Sequence, residues 1–320
     1  MPISGPSSYV STLNLFIPHW VDVNLALGAG GPLVLEDGTT ISILTGYRDQ
    51  LDGYRASIQG KLNDVQIAGA IVLGLKTSLL GRIGEFNRKV RGTISKSPYA
   101  AALSDVPGIG SAQGLFLDPL DDTANLWAKI NAATIPGFTP PLLLPGSYAV
   151  AAFVAELAAL RANYVAESAA EHEVTLERKL RNFVQDKALP AIVLYRKAVA
   201  GAFAENDPLV LSLPAAYPEP GSTPDGVIAS GTFDGTLVQG KITFTGSTNP
   251  NLSHFEVRYC SGAYSTETEV VIGNLSPTDP RQFLTLAGLA ASGDVATFKV
   301  YEILTTGNEK GSNTVTITRP

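Results

Sequence analysis

The sequence predicts a multidomain α and β protein: an elongated α-helical bundle built from two duplicated helical units, followed by an antiparallel β-sandwich. Three observations carry this. Two stretches of the chain repeat one another. The hydrophobic period is helical to about residue 213 and alternating beyond about 225. A proline-rich segment separates the two regimes.

The repeat is read from matched positions. Trp20, Asn24, Pro32 and Gly38 correspond to Trp127, Asn131, Pro141 and Gly146, and Arg88-Lys89 to Arg196-Lys197. The offsets are 107 for the tryptophans, 108 for the basic pairs and 110 for Pro98 and Pro208, which close the copies. Repeat 1 spans about 18–108 and repeat 2 about 125–213. A helical unit of this kind cannot bury its own apolar face, so duplication implies a pseudo-symmetric scaffold.

In chain order, Ser8 to Phe16 reads as a short helix with Ser8 as its cap. Pro18 breaks it, and a second short helix around Trp20 ends at Gly28. Asp37-Gly38-Thr39 offers caps for a helix running to about Ile94. Such a helix has about 56 residues, or about 84 Å at 1.5 Å per residue, and needs a partner along most of its length. Gly46, Gly53 and Gly60 recur every seven residues, Ile67 takes the next place, and Gly74 and Gly81 resume the register. Five interior glycines cost roughly 5 kcal/mol relative to alanine, which is tolerable if another helix packs close along the stripe. Ala152, Ala155, Ala159, Ala162, Ala166 and Ala169 of the second long helix make a matching seam. The expectation is that the two stripes pair, antiparallel; the alternative is that the glycines bend the helix around a core.

Beside the stripe runs a larger apolar face that includes Leu51, Ile58, Val72, Leu79 and Phe86. In the second helix Phe153, Leu157, Leu160, Leu180 and Phe183 are the equivalents. A kink is expected at Pro190. Residues 107–122 read as a loop, with Asp121 or Asp122 capping the helix of Trp127, and 214–224 as a semi-rigid linker. Beyond the linker about seven short strands are expected, separated by turns such as Asp234-Gly235 and Thr306-Gly307-Asn308.

Within 225–320, Phe255-Glu-Val257-Arg-Tyr259, Ala296-Thr-Phe298-Lys-Val300-Tyr-Glu302 and Val315-Thr-Ile317 occur in order, with Leu286 and Leu289 ahead of the sixth strand. This set resembles a divergent fibronectin type III domain. Ala296 stands where that family has its corner tyrosine, and Phe244 or Ile242 replaces the core tryptophan. The whole chain resembles uncharacterised bacterial proteins that pair a helical bundle with such a domain. No Arg-Gly-Asp occurs, so the resemblance implies no integrin-type adhesion.

The chemistry-bearing clusters are sparse. Glu167, Glu171, His172 and Glu173 lack the paired Glu-x-x-His of a di-metal bundle and read as a solvated face. Asp118, Asp121 and Asp122 lack a calcium-loop pattern, and Gly108, Gly110 and Gly114 fit no phosphate-loop fingerprint. Cys260 is the sole cysteine and reads as inert core, and three histidines make a zinc site unexpected. Trp20 and Trp127 read as repeated core plugs rather than partner anchors. No catalytic residue, cofactor site or metal site is expected, and the chain is read as non-enzymatic.

A net charge of −6 argues against nucleic acid as a partner. Charged residues are only 16 % of the 320, and the mean hydropathy is +0.15. No uninterrupted apolar run reaches the ~18–20 residues of a membrane span, and the amino terminus lacks a signal-peptide pattern. Cytoplasmic synthesis, or incorporation into an assembled particle or surface structure, is the default. Low charge without a span points to burial against other copies of the chain. The expected function is that of a structural subunit, self-assembling through its helices into a sheet, filament, shell or appendage, with the sandwich as decoration. The alternatives are a glycan- or protein-binding module acting through sandwich loops 249–253 or 304–311, and a membrane-active helix protein inserting Ile67–Leu75.

Overall fold

The structure, a computed structural model, describes residues 2–219, 221 and 223–320. Met1 and two residues of the expected linker, Pro220 and Ser222, lie outside the described residues. Among the described residues six α-helices precede eight strands. Helix α1 (Ser8–Leu27), α2 (Ile41–Thr93) and α3 (Pro98–Ala101) are matched by α4 (Gln113–Ala132), α5 (Val150–Ala202) and α6 (Pro208–Leu211). Their lengths agree in both triplets: 20, 53 and 4 residues.

The duplication extends to hydrogen bonds. Asn24 Oδ1 accepts from the Leu33 amide and Asn131 Oδ1 from the Leu142 amide, each at 2.8 Å. The Leu35 amide donates to the Thr39 carbonyl and the Leu144 amide to Tyr148, each at 2.9 Å. In both copies the asparagine ties the connecting loop back to its helix.

Several expected boundaries change. α1 is one helix through Pro18, and α4 passes through Pro119 and takes in Asp118, Asp121 and Asp122. These aspartates therefore cap nothing, and the expected loop over 107–122 ends at Gln113. An interior proline costs about 3 kcal/mol. Burial outweighs it, because Leu13, Phe16, Trp20 and Val23 of α1 and Phe116, Leu120, Trp127 and Ile130 of α4 are fully enclosed. Ser8 sits inside the first turn of α1, where its hydroxyl accepts from the Ser4 and Gly5 amides. The Ile43 amide donates to the Thr40 side chain ahead of α2, one residue past the expected caps. α5 continues as one helix through Pro190.

The chain forms two compact units, Met1–Gly60 with Thr175–Pro320, and Lys61–Val174. Their limits fall within both long helices, whereas the sequence marks its boundary at the linker. The helical core of the first unit joins α1, the start of α2 and the end of α5: Phe16, Trp20, Leu44 and Leu51 pack with Ile192 and Tyr195. The second unit has the same makeup with the roles exchanged. There α4, the start of α5 and the end of α2 bring Trp127, Phe153 and Leu157 against Leu79, Ile83 and Phe86. Within each unit the tryptophan of a short helix meets an aromatic ring of the other repeat's long helix. Trp20 stacks on Tyr195 at 4.4 Å, and Trp127 lies 5.1 Å from Phe86.

The sandwich belongs to the first unit. β1 (Ala229–Asp234), β2 (Gln239–Phe244) and β5 (Gln282–Thr285) form a three-stranded antiparallel sheet. β4 (Val270–Leu275), β3 (Leu252–Ser261), β6 (Val295–Leu304) and β7 (Glu309–Gly311) follow one another in the second, where β8 (Val315–Thr318) also pairs with β6. Alternation sets the faces. Phe255 and Val257 of β3 and Phe298 and Val300 of β6 point into the core with Leu289, Val315 and Ile317. Ile242 and Phe244 are buried where a core tryptophan was missing from the sequence. Leu286, expected in the core, is 46 % exposed.

Candidate functional site

Within each unit the expected packing stripes are not the surfaces that pack. A Cβ added at Gly46, Gly53, Gly60, Gly74 or Gly81 would have nothing within 4 Å. Gly53, Gly60, Gly74 and Gly81 are exposed and Gly46 is half-buried. On α5, Ala152, Ala155, Ala162, Ala166 and Ala169 are exposed and Ala159 is half-buried. The long helices are held instead by the larger apolar faces beside the stripes, where Leu44, Leu51, Ile58, Val72, Leu79 and Phe86 recur at heptad or double-heptad spacing and are all buried. The only glycine of this region in tight contact is Gly69, whose added Cβ would lie 3.2 Å from Glu167. Leu180 and Phe183, expected on the inner face, are 40 % and 60 % exposed.

In the second unit the stripes leave a surface poor in charge. Between Asp64 and Arg82 the one charged residue of α2 is Lys76, which is buried with its ammonium 4.5 Å from the centre of the Phe116 ring. Ile67, Ile71 and Leu73 are 59 %, 46 % and 54 % exposed. On α5 the exposed residues from Ala151 to Ala169 are alanines, Val154, Val165, Ser168 and Arg161, and Arg161 pairs with Asp121 at 2.5 Å. An 18-residue stretch of α2 reaches a mean hydropathy of 1.4 with 22 % of it buried. By length and composition α2 is thus apolar enough to cross a membrane. Uninterrupted apolar runs stay short there, because Lys76-Thr77-Ser78 breaks them.

The first unit holds the densest polar chemistry. Glu256 and Arg258 occupy the outer face of β3, opposite Phe255 and Val257. Arg258 is 2 % exposed and is ringed by Glu256 at 2.8 Å, Glu269 at 2.8 Å and Glu309 at 2.5 Å. Its guanidinium lies 3.8 Å from the centre of the Tyr301 ring. Tyr264 and Tyr301 both donate to Glu269. The segment before α1 closes the cluster, with Ser7 donating to Glu269 at 3.0 Å and Ser4 to Glu309 at 3.1 Å. Nearby, Arg178 of α5 pairs with Glu267 at 2.6 Å. Burial alone would lower the Arg258 guanidinium, but the Glu309 bond and the three carboxylate charges hold it above its ordinary range. Burial also pushes Glu256 up, and its contacts with His254 and Arg258 outweigh this to leave it below the usual carboxylate value. Tyr264 is raised by burial and by the charge of Glu269, and Tyr301 is pushed up to about 12 for the same reasons. These residues are scattered over 256–309, and no spacing rule in the sequence flags them.

Beside this cluster opens a cleft of about 440 Å³ between α1, α2 and the start of β4. Arg48, Asp52 and Arg55 of α2 form one wall, and Asn14 of α1 with Val270, Val271 and Arg258 of the sheet and Glu269 just before β4 also line the cleft.

Other candidates give no reactive geometry. His19 Nδ1 lies 2.6 Å from Tyr195 Oη, and Nε2 lies 2.9 Å from the Leu209 carbonyl and 3.3 Å from Ser212 Oγ. A carbonyl only accepts, so Nε2 carries the hydrogen and the ring is no base toward Ser212. Cys260 is 1 % exposed and its thiol is pushed up by burial, which disfavours a thiolate. Glu173 pairs with Lys61 at 2.5 Å, and no group of three or more potential metal-ligating side chains occurs among the described residues.

No family model and no curated protein sequence matches this chain. Among solved structures, a fibronectin-III-like protein from Clostridium thermocellum is similar at 14 % identity and a TM-score of 0.25, covering 31 % of this chain and 93 % of that one. A pectate lyase from Pectobacterium carotovorum is similar at 15 % identity and a TM-score of 0.25, over 29 % of this chain. One from Erwinia chrysanthemi, solved with tetragalacturonic acid, is similar at 14 % identity and the same score, over 28 %. The chain spans only 27 % and 28 % of those two lyases. Likenesses this partial assign no activity.

Proposed function

We propose that this protein is a non-enzymatic structural subunit that assembles with further copies of itself through its helical region, carrying a divergent fibronectin-III-like sandwich as a decorating or interaction domain. One observation carries the reading: over 65–81 and 151–169 the helices of the second unit expose a surface of glycine, alanine and aliphatic side chains, with Arg161 as its exposed charge, paired to Asp121. Interior glycines cost about 1 kcal/mol each relative to alanine, and among the described residues nothing lies within 4 Å of a Cβ added at Gly74 or Gly81. A neighbouring helix from another copy would use it, because small residues admit close backbone approach. The sandwich assignment is supported by its division into β1-β2-β5 and β4-β3-β6-β7 with β8, and by the buried positions of Phe255, Val257, Phe298 and Val300.

A second reading has its own support. The same 18-residue stretch would suit a lipid environment, since most of it is unburied.

Light scattering after size-exclusion chromatography, over a hundredfold range of concentration, tests the first reading. Discrete or open-ended species larger than 33.6 kDa are expected, and Leu73→Asp should return them to monomer. A strict monomer at every concentration would overturn self-assembly. Liposome leakage that Leu73→Asp abolishes would then establish the membrane reading.

A further inference from the structure

We propose that the cleft between α1, α2 and β4 binds an extended peptide, which adds as a strand along β4 and places acidic side chains on Arg48 and Arg55. Four observations converge on it. First, β4 is the outer strand of its sheet, with only β3 beside it among the described residues. An outer strand leaves a row of backbone donors and acceptors open to a further strand. The edge is also apolar and uncharged: Val270-Val271-Ile272-Gly273-Asn274-Leu275 contains no lysine, glutamate or proline that would discourage pairing.

Second, the cleft has the size of a ligand site, about 440 Å³, within the roughly 300–1,000 Å³ usual for such sites. Third, its α2 wall carries both signs. Arg48 and Arg55 are seven residues apart on one helix face, about 10.5 Å along the axis, with Asp49 and Asp52 between them. A wall of alternating sign fits neither a simple anion nor a simple cation. It fits a peptide with a cation flanked by two acids: in such a strand the acids stand about 13.6 Å apart, a difference of about 3 Å from the arginine spacing that the flexible side chains span.

Fourth, the wall charges are available. Arg48 pairs with Asp49 and donates a long bond to Asn14, and Arg55 pairs with Asp52; the arginine side chains are 32 % and 27 % exposed and the aspartates 62 % and 52 %. Such pairs contribute about 0–1 kcal/mol, so a ligand carboxylate can displace them and take the planar guanidinium fork. Arg258, by contrast, is saturated by three carboxylates. It fixes the neighbouring strand and leaves binding to the two wall arginines.

The probe is the blocked pentapeptide acetyl-Glu-Val-Lys-Val-Glu-amide, with acetyl-Lys-Val-Glu-Val-Lys-amide as its charge reversal, each titrated into the full chain. Hydrogen exchange by mass spectrometry reports the amides of Val270 to Ile272, and calorimetry reports affinity. The expected result is slowed exchange on this segment with the first peptide and affinity at least about tenfold weaker for the second, a gap of about 1.4 kcal/mol. Arg48→Glu with Arg55→Glu should reverse the preference. Both positions are partly exposed, and the charge-reversed peptide tests the same point without altering the protein. Three results would overturn the proposal: no slowing with either peptide at millimolar concentration, affinity indifferent to charge order, or slowing that depends on protein concentration alone. The last would make a second copy the occupant.

Discussion

Replacing Arg258 with methionine tests the buried charge cluster directly. The side chain is 2 % exposed, and three carboxylates lie within 2.8 Å of its guanidinium. Methionine keeps much of the aliphatic packing and removes the charge, which strands Glu256, Glu269 and Glu309 in a poorly hydrated site. Breaking a buried ion pair by deleting one partner costs about 3–5 kcal/mol. For a unit of this size each kcal/mol is worth about 2–4 °C, so the melting temperature at pH 7 should fall by about 6–20 °C. The pH dependence discriminates between charge and packing. In the variant the stranded carboxyls can be neutralised by protons, so the gap to the parent should narrow on acidification to about pH 4. The parent moves the other way. The folded-state value of Glu256 lies below its ordinary 4.5, so its contribution is present above that value and is lost as pH falls through the folded one. Scanning calorimetry of both proteins at pH 7 and pH 4 is sufficient. Equal melting temperatures at pH 7, or a gap of the same size at both pH values, would refute the argument.

Other expectations follow from the same coordinates. Gly60→Ala should stabilise the isolated chain by about 0.5–1 kcal/mol, because the added Cβ meets nothing within 4 Å; a loss in urea unfolding would restore the close-packed stripe. Asn24→Ala and Asn131→Ala should each cost about 1 kcal/mol, since each removes the same loop bond; strongly unequal losses would contradict structural equivalence of the copies. Tyr264 and Tyr301 are both held above the ordinary 10.0. Their contribution is therefore full below pH 10 and declines as pH rises above it, for Tyr301 until about 12, and the Tyr264→Phe, Tyr301→Phe double variant should show a shallower alkaline loss of melting temperature.

The helical period, the repeat and the change to alternation were legible in the residues, and they give the helices, the duplication and the sandwich. The partner of the glycine stripe was not. A heptad of small residues looks the same whether its face meets another helix of the chain or none, and of the two rows it is the adjacent one, from Leu44 to Phe86, that is buried. Pro18 and Pro119 misled for a related reason, because local proline cost is weighed against tertiary burial that sequence does not display. Glu256 and Arg258 alternate with Phe255 and Val257, a pattern that reads as an ordinary solvent face. What covers that face comes from Ser4 and Ser7, some 250 residues away in sequence. The cleft was invisible for the same reason, since its walls come from α1, α2 and β4.

The exchange of long-helix ends between the copies has a consequence for the order in which the protein is made. Lys61–Val174 is an uninterrupted segment, whereas the other unit needs Met1–Gly60 and residues beyond Thr175 together. Chains emerge from the ribosome amino terminus first, at about 5–20 residues per second. The earliest helix, α1, therefore waits exposed, with Phe16 and Trp20 uncovered until Tyr195 emerges, while the later-made segment already has every residue of its core. Of these two units, the one whose first helix is made earlier is completed later, and nascent chains with about 180 residues outside the ribosome should protect Trp127 from solvent but not Trp20.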